Sequence, residues 1–409
     1  MPLAMIDFAD ALRIILDNSR RGLPVETVPL VLSLGRTLAA PIIAGENIPP
    51  APNSAMDGFA VRAEDLTEAS PEHPVRLRVI GESAAGKTFD GMPAPGDAVR
   101  IMTGGLVPEG ANAVVEVEAT SEADGIVEVR RSLRVGEAVR TAGEDVRAGS
   151  TVIEPGKRIT PGDIGVLASL GVVNVPVRVK PKVGILSTGN EIVEPFRTPS
   201  PGGVRNSTGP ALYAACTEIG AEPIDLGIAR DDRDELEEKL EEGLRYDILL
   251  TTGGVSAGAY DFVQQVLPAL GVEVKFHGVR IKPGKPVLFG IMGEAEHLTL
   301  VFGLPGNPVS TLVGFRQFVA PAVAALLGQT DAPLRMRAAL QNTIRKRDDK
   351  RHFVRGILGA APDGTLTVST TGTQSSGAMS SMSRANCLII LDEQSGEASP
   401  GTMVEVELL

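Results

Sequence analysis

Three short stretches decide the fold: VGILSTGNE at 183–191, DILLTTGG at 247–254 and LTLVFGLPGNP at 298–308. Each is a nearly unbroken apolar run that ends in small residues. Helical patterns lie between and after them: STGPALYAACTEIG (207–220), DDRDELEEKLEEGL (231–244), DFVQQVLPAL (261–270) and NPVSTLVGFRQFVAPAVAALLG (307–328). Asp232 and Glu235 stand at capping-box spacing, and Leu236, Leu240 and Leu244 recur every four residues. Asn307 is placed as a cap with Pro308 at the first helical position. Further apolar runs, IDLGIA (224–229) and VLFGI (287–291), complete the alternation. Strands without polar alternation, separated by helices, predict a doubly wound α/β domain over 177–328, with a parallel sheet covered on both faces.

Working outward, residues 46–140 are β-rich, with VRLRVI, AVRIMTGG, AVVEVEAT and GIVEVRRSLRV punctuated by Gly and Pro. Residues 5–20 carry a helical apolar stripe, and TPGDIGVLASLG (160–171) reads as a short helix. The segments 1–45 and 141–176 are each too short for a domain. They are expected to pack together as one elongated mixed domain, with the β-rich unit inserted between them. Residues 329–409 return to strands (LTVST, NCLIILDE, MVEVELL) and predict a small C-terminal barrel-like domain.

Composition narrows the function. Of 409 residues 43% are hydrophobic, enough to build sizeable cores. There is no Trp and the net charge is −12, which argues against a base-stacking or phosphate-backbone-binding protein. Two cysteines, Cys216 and Cys387, lie in apolar runs, and the four histidines are scattered, so no structural zinc site is expected. The N-terminus has acids within an amphipathic stretch rather than a basic leader, and no apolar run reaches the roughly 20 residues that span a bilayer. A cytoplasmic protein with no membrane and no nucleic-acid partner is expected.

The chemistry is expected at the carboxyl ends of the strands. Parallel sheets bind ligands there, and STGNE (with Gly189), TTGGVSAGAYD (with Gly253, Gly254, Ser256 and Gly258) and GLPGNP (Pro305, Gly306, Asn307, Pro308) are three small-residue loops at such ends. Glycines let backbone amides approach an oxyanion, and helix N-termini add positive potential. Glu191, Asp231, Asp232 and Asp261 flank these loops. Acids beside an anion pocket repel the anion unless a divalent cation bridges them, which points to Mg²⁺; capping is the alternative use of Asp232 and Asp261. IKPGKP (281–286) sets Lys282 and Lys285 around a Pro-Gly turn, suited to phosphate or a molybdate-like anion. Elsewhere Asp57 lies in NSAMDGFAV, Thr103 in RIMTGGLVPEG, Glu144 and Asp145 in GEDV, Arg355 in FVRG and Ser376 in GTQSSGAMSSMSRAN, next to Ser375. FVRG reads as a strand that could turn Arg355 toward a neighbouring cleft; the other four stretches are also readable as a turn, hairpin or loop. RKRDDKRHFVRG (345–356) is read mainly as solvated surface.

PPAPNSAMDGFAV, RIMTGGLVPEGANAVV, AGEDVRAGS, ILSTGNEIVEP, TTGGVSAGAYDFV, IKPGKPVLFG and GLPGNPVS occur in this order over nearly the whole chain. Their combination resembles the molybdopterin molybdenumtransferase (MoeA) family, to which the gephyrin E domain is similar. The resemblance implies a MogA/MoaB-like α/β domain, an elongated homodimer, and a cleft shared between the α/β part of one subunit and the β-rich insertion of the other. It implies insertion of molybdate into adenylated molybdopterin, with Mg²⁺-dependent release of AMP. Asp57, Asp145, Glu191, Asp231, Asp232, Asp261, Lys282 and Lys285 become the expected catalytic set. Thr103, the glycines, Ser256, the prolines, Asn307, Arg355 and Ser376 become ligand-binding. At 190 this chain has Asn where Asp is equally familiar in the family, so Glu191 is the expected metal ligand there. The implied partners are the adenylyltransferase that supplies the substrate and apo-molybdoenzymes that accept the product. Alternatives are a tungstate-preferring insertase, a MogA-like adenylyltransferase and, more remotely, a gephyrin-like scaffold. The β-rich segments favour the insertase over an adenylyltransferase, which resembles only the α/β part.

Overall fold

The computed structural model describes residues 5–84, 86–254, 263–294 and 297–409. The chain divides into two compact units. One comprises the residues up to Ala40, Pro155–Thr160 and Val175–Leu409; the other comprises Pro41–Glu154 and Pro161–Asn174.

In the first unit, β1 (Lys182–Thr188), β2 (Glu222–Ala229), β3 (Ile248–Thr252), β4 (Glu273–His277), β6 (Leu288–Met292) and β7 (Thr299–Leu304) form one sheet in the order β2-β1-β3-β7-β6-β4. The first four strands of that order are parallel, as the strand–helix alternation predicts. β6 runs antiparallel to both of its neighbours, β7 and β4, so the sheet is mixed rather than wholly parallel. The reason is connection length: residues 293–298 between β6 and β7 are too few for a helical crossover, and a short link forces antiparallel return.

Apolar side chains of both sheet faces are buried. One face packs Val183, Ile185, Phe289 and Phe302 against the helical stretch Pro308–Leu327 and the helix Phe8–Ser19. The other packs Leu186, Leu249 and Val301 against Leu236 and Leu240 of the helix Arg233–Gly243. By length and composition Pro308–Leu327 could cross a bilayer, but 67% of its apolar window is buried inside the protein, as expected of a core helix. Phe8 stacks at 5.6 Å from Phe318 and 5.5 Å from Phe353, tying the first helix to both the sheet's covering helix and the C-terminal strands.

Those strands are β8 (Arg335–Leu340), β9 (Arg351–Ala360), β10 (Leu366–Thr370), β11 (Cys387–Leu391) and β12 (Met403–Leu408). Their order β9-β10-β8-β12-β11, with β11 pairing back to β9, closes a small barrel. A two-residue strand, β5 (Ile281–Lys282), joins its edge on β9. IKPGKP thus starts in the barrel and delivers the chain to β6 of the α/β sheet. Cys216 and Cys387 are buried free thiols, and burial pushes their pKa values up to about 12 and about 11.

The second unit is built on a six-stranded sheet with the strand order Ala113–Glu116, Gly58–Val61, Asp97–Ile101, Val75–Ser83, Ile126–Val129 and Thr120–Ala123. The helix Pro161–Ser169 belongs to the same unit.

Candidate active site

Strands β1, β3 and β7 are neighbours, so the loops leaving Thr188, Thr252 and Leu304 lie side by side. They interlock: the Thr188 hydroxyl donates to the Thr252 carbonyl (3.1 Å), and the Gly253 amide donates to the Leu304 carbonyl (3.0 Å). Glycine is required here. Gly253 has φ +90°, and a Cβ on it would sit 2.8 Å from the Thr188 carbonyl oxygen. A Cβ on Gly189 would sit 2.7 Å from a Glu191 carboxylate oxygen, so that carboxylate folds over the Gly189 turn. Together the loops line a cleft of about 690 Å³ that includes Gly189, Glu191, Asp231, Gly253, Gly254, Gly306, Asn307 and Pro308. Asn307 occupies the N-cap position, yet its side chain makes no capping hydrogen bond and remains available to the cleft. Pro305 is buried beneath, where its carbonyl accepts the Thr311 hydroxyl.

The acids separate into two uses. Asp231 accepts from the Asn190 amide, and its own amide donates to the Asn190 side chain, both at 3.2 Å; it faces the cleft with Glu191. Asp232 instead caps the helix Arg233–Gly243 by accepting from the Glu235 amide at 3.0 Å, and does not line the cleft. Among the described residues no group of three His, Cys, Asp or Glu side chains stands ready to hold a metal. Glu191 and Asp231 beside a glycine cradle nevertheless fit Mg²⁺, which commonly takes one or two carboxylates and completes its shell with phosphate oxygens and water. Ser256, Gly258 and Asp261 lie outside the described residues.

A second cavity, about 510 Å³, is cationic. Lys282, Lys285, Arg345, His352, Arg355, Gln374 and Ser376 line it. Arg355 is only 1% exposed, and burial lowers its pKa to about 10. Its Nε donates to the Ser381 hydroxyl (3.1 Å) and its Nη2 to the Ser375 carbonyl (3.0 Å). It forms no ion pair with a described carboxylate. A buried guanidinium without a counter-ion is costly, and an anion in the cavity supplies one. Gln374 clamps the loop above it, accepting from the Arg355 amide (3.0 Å) and donating to the Arg355 carbonyl (3.2 Å). Ser375 thus contributes its carbonyl to Arg355, while Ser376 lines the cavity.

The two cavities share a wall. The Val309 amide donates to the Ser376 carbonyl at 3.1 Å. Pro308 and Gly377 face the glycine-lined cleft, and Ser310 and Ser376 face the cationic cavity.

Asp57, Thr103 and Asp145 belong to the other unit. Asp57 Oδ1 accepts from both the amide and the hydroxyl of Thr103, each at 2.7 Å. The amide first and the hydroxyl second hold its pKa below the ordinary carboxylate value. The Pro-rich loop bearing Asp57 is stitched on both sides. The Ser54 amide donates to the Gly105 carbonyl, and Asn53 and Ser54 pair with Arg140 and Val139. Asp145 is exposed, with its amide bonded to the Ile48 carbonyl.

A glycine-cradled, carboxylate-flanked cleft on a doubly wound sheet, walled against a cationic pocket, fits a phosphate- and oxyanion-handling transferase class. Comparison with known proteins makes this specific. Residues 6–171 match the model of the MoeA N-terminal region (domain I and II), 184–325 that described as "Probable molybdopterin binding domain", and 337–409 that of the MoeA C-terminal region (domain IV). The molybdopterin molybdenumtransferase of Bacillus subtilis is 37% identical over 98% of this chain and 93% of its own length. That of Haemophilus influenzae is 36% identical over 94% of each. The crystal structure of the molybdopterin biosynthesis moeA protein from Pyrococcus horikoshii superposes with a TM-score of 0.85 at 32% identity, covering 99% of this chain and 100% of that one. The chain belongs to the molybdopterin molybdenumtransferase family, enzymes of molybdenum cofactor biosynthesis.

Sequence reasoning missed Arg345, His352 and Gln374. Reading 345–356 as solvated surface fails where it matters: Lys346, His352 and Arg355 are 4%, 5% and 1% exposed. RHFVRG carries no polar–apolar alternation, and His352 to Gly356 are buried in succession in a barrel strand, so the run of charges before it gave no local sign of their burial.

Proposed function

We propose that this chain transfers molybdenum from molybdate to adenylated molybdopterin, with release of AMP. The observation that carries the reading is the shared wall between two cavities of opposite character. Molybdate is a tetraoxo dianion, and the cationic cavity offers Lys282, Lys285 and the uncompensated Arg355 to hold it, with Ser376 as hydroxyl donor. The adenylated phosphates suit the glycine cradle, where small residues let amides reach their oxygens. Glu191 and Asp231 would hold Mg²⁺, which when bound neutralises phosphate charge and stabilises the departing phosphate oxygen. Asn307, free of capping duty, orients the nucleotide side of the ligand by hydrogen bonding. Because only the 308–310 and 376–377 segments separate the cavities, an oxyanion in one is brought next to the pterin end of a ligand in the other, and proximity supplies much of the rate.

Asp57 and Asp145 are assigned supporting roles in the same reaction, as a homodimer with a four-part domain plan would require. The test is AMP release from adenylated molybdopterin, with and without molybdate and Mg²⁺. Molybdate-stimulated release with reconstitution of an apo-molybdoenzyme is expected. Conversion of molybdopterin and ATP to the adenylate instead would refute the assignment.

A further inference from the structure

The cationic cavity contains a titratable side chain to which the proposed reaction gives no role. His352 is buried and lines the cavity. β5 runs parallel to β9 with Lys282 opposite His352, so both side chains leave the same face of the sheet. Nε2 of His352 lies 2.7 Å from Oδ1 of Asp348. Lys285, Arg345 and Arg355 line the same cavity. Lys346, on the stretch before β9, is turned into a cage of the Asp348, Glu393 and Ser395 carbonyls. On its other side β11 sets the apolar Leu391 opposite His352.

The cluster is therefore one imidazole and one carboxylate among several fixed cations. Burial is the largest influence and favours the neutral ring in the empty cavity; the Asp348 hydrogen bond and charge, next in size, oppose it, and the smaller effects of Lys282 and Lys346 side with burial. A dianion entering the cavity offsets part of this positive charge and so favours the protonated ring.

We propose that His352 is a further oxyanion-binding residue, which takes a proton from solvent when a doubly charged tetraoxo anion enters, so that anion binding is linked to proton uptake. The proposal rests on the reading that this cavity receives molybdate. The sign follows directly: the ring is neutral when the cavity is empty and protonated when it is filled, so affinity falls as pH rises. Lysine and arginine stay charged near neutrality, and molybdate stays a dianion, so His352 is the cavity group that titrates there.

Isothermal titration of the full chain with molybdate at pH 6, 7 and 8, in buffers of different ionisation enthalpy, tests this. Expected are uptake of a fraction of one proton per anion and a loss of affinity of roughly tenfold across that range. His352→Gln is expected to bind molybdate with no proton uptake and a flat pH profile. Binding by the native chain without proton uptake, or a linkage that survives in His352→Gln, overturns the proposal. If the variant does not fold, the four histidines of the native chain are titrated by NMR: one midpoint rising with molybdate supports it, and none rising refutes it. Absence of molybdate binding at every pH overturns the anion-site reading itself, a result distinct from binding without proton uptake.

Discussion

Replacing Arg355 with Met tests the assignment of the cationic cavity at its most buried point. The guanidinium has five N–H donors. Two are spent, on Ser381 and Ser375. Three remain for a ligand, and a tetraoxo anion can take two of them. Charge-assisted hydrogen bonds are worth about 1.5–3 kcal/mol each, so losing two at the low end costs about 3 kcal/mol, or roughly 150-fold in molybdate affinity. The fold should tolerate the change. Methionine fills similar volume and removes an uncompensated buried charge, Ser381 keeps its bond to the Ala378 carbonyl (2.7 Å), and exposed Ser375 rehydrates. The assay is molybdate titration together with urea unfolding of the same preparation. A variant with the native unfolding midpoint and undiminished molybdate affinity would refute the reasoning. Arg355→Lys, which keeps charge without the planar fork, is expected to fall between the two.

Other outcomes follow from the same geometry. Gly253→Ala forces a side chain into the left-handed region against the Thr188 carbonyl and should cost about 1–3 kcal/mol in urea unfolding, along with most of the AMP release. Asp232→Ala removes a helix cap and should cost about 1 kcal/mol of stability while AMP release continues, whereas Asp231→Asn should raise the Mg²⁺ concentration needed for turnover. Phe8→Ala deletes a ring packed between Phe318 and Phe353 and should destabilise the first unit by about 3–5 kcal/mol, read by denaturation. Thr103 holds the Asp57 pKa down in the folded state, so its stabilisation is present above the unfolded carboxylate pKa and is lost as pH falls through the folded value. Thr103→Val removes the hydroxyl but keeps the larger backbone-amide contribution, so it should weaken, without abolishing, that acid-side dependence in a pH series of unfolding midpoints.

Much of this architecture was legible because local signals agreed with one another. Apolar runs ending in STGNE, TTGG and GLPGNP gave strand, loop and following helix together, and the cap at Asp232 and the start at Pro308 lie where the pattern puts them. Of the two uses the sequence allows Asp232, beside the cleft or as a cap, the structure shows the cap. What could not be read was long-range pairing. The antiparallel edge of the α/β sheet depends on how β4 and β6 return to β7, and the barrel closes through a β9–β11 pairing that no local pattern encodes. The cationic cavity is hidden for that reason. Lys282 and His352 are 70 positions apart in the chain and meet only because β5 adds to the barrel edge. Gln374 and Arg355 meet only because β9 and the loop after β10 fold over one another.

The central claim is that the oxyanion and the adenylated ligand occupy separate cavities divided by the 308–310 and 376–377 segments. Anomalous diffraction from crystals soaked in molybdate, recorded at the molybdenum absorption edge, tests it most directly. A peak among Lys282, Lys285, Arg355 and Ser376 is the predicted result. A peak beside Glu191 and Asp231 in the glycine-lined cleft, with the cationic cavity empty, would contradict it.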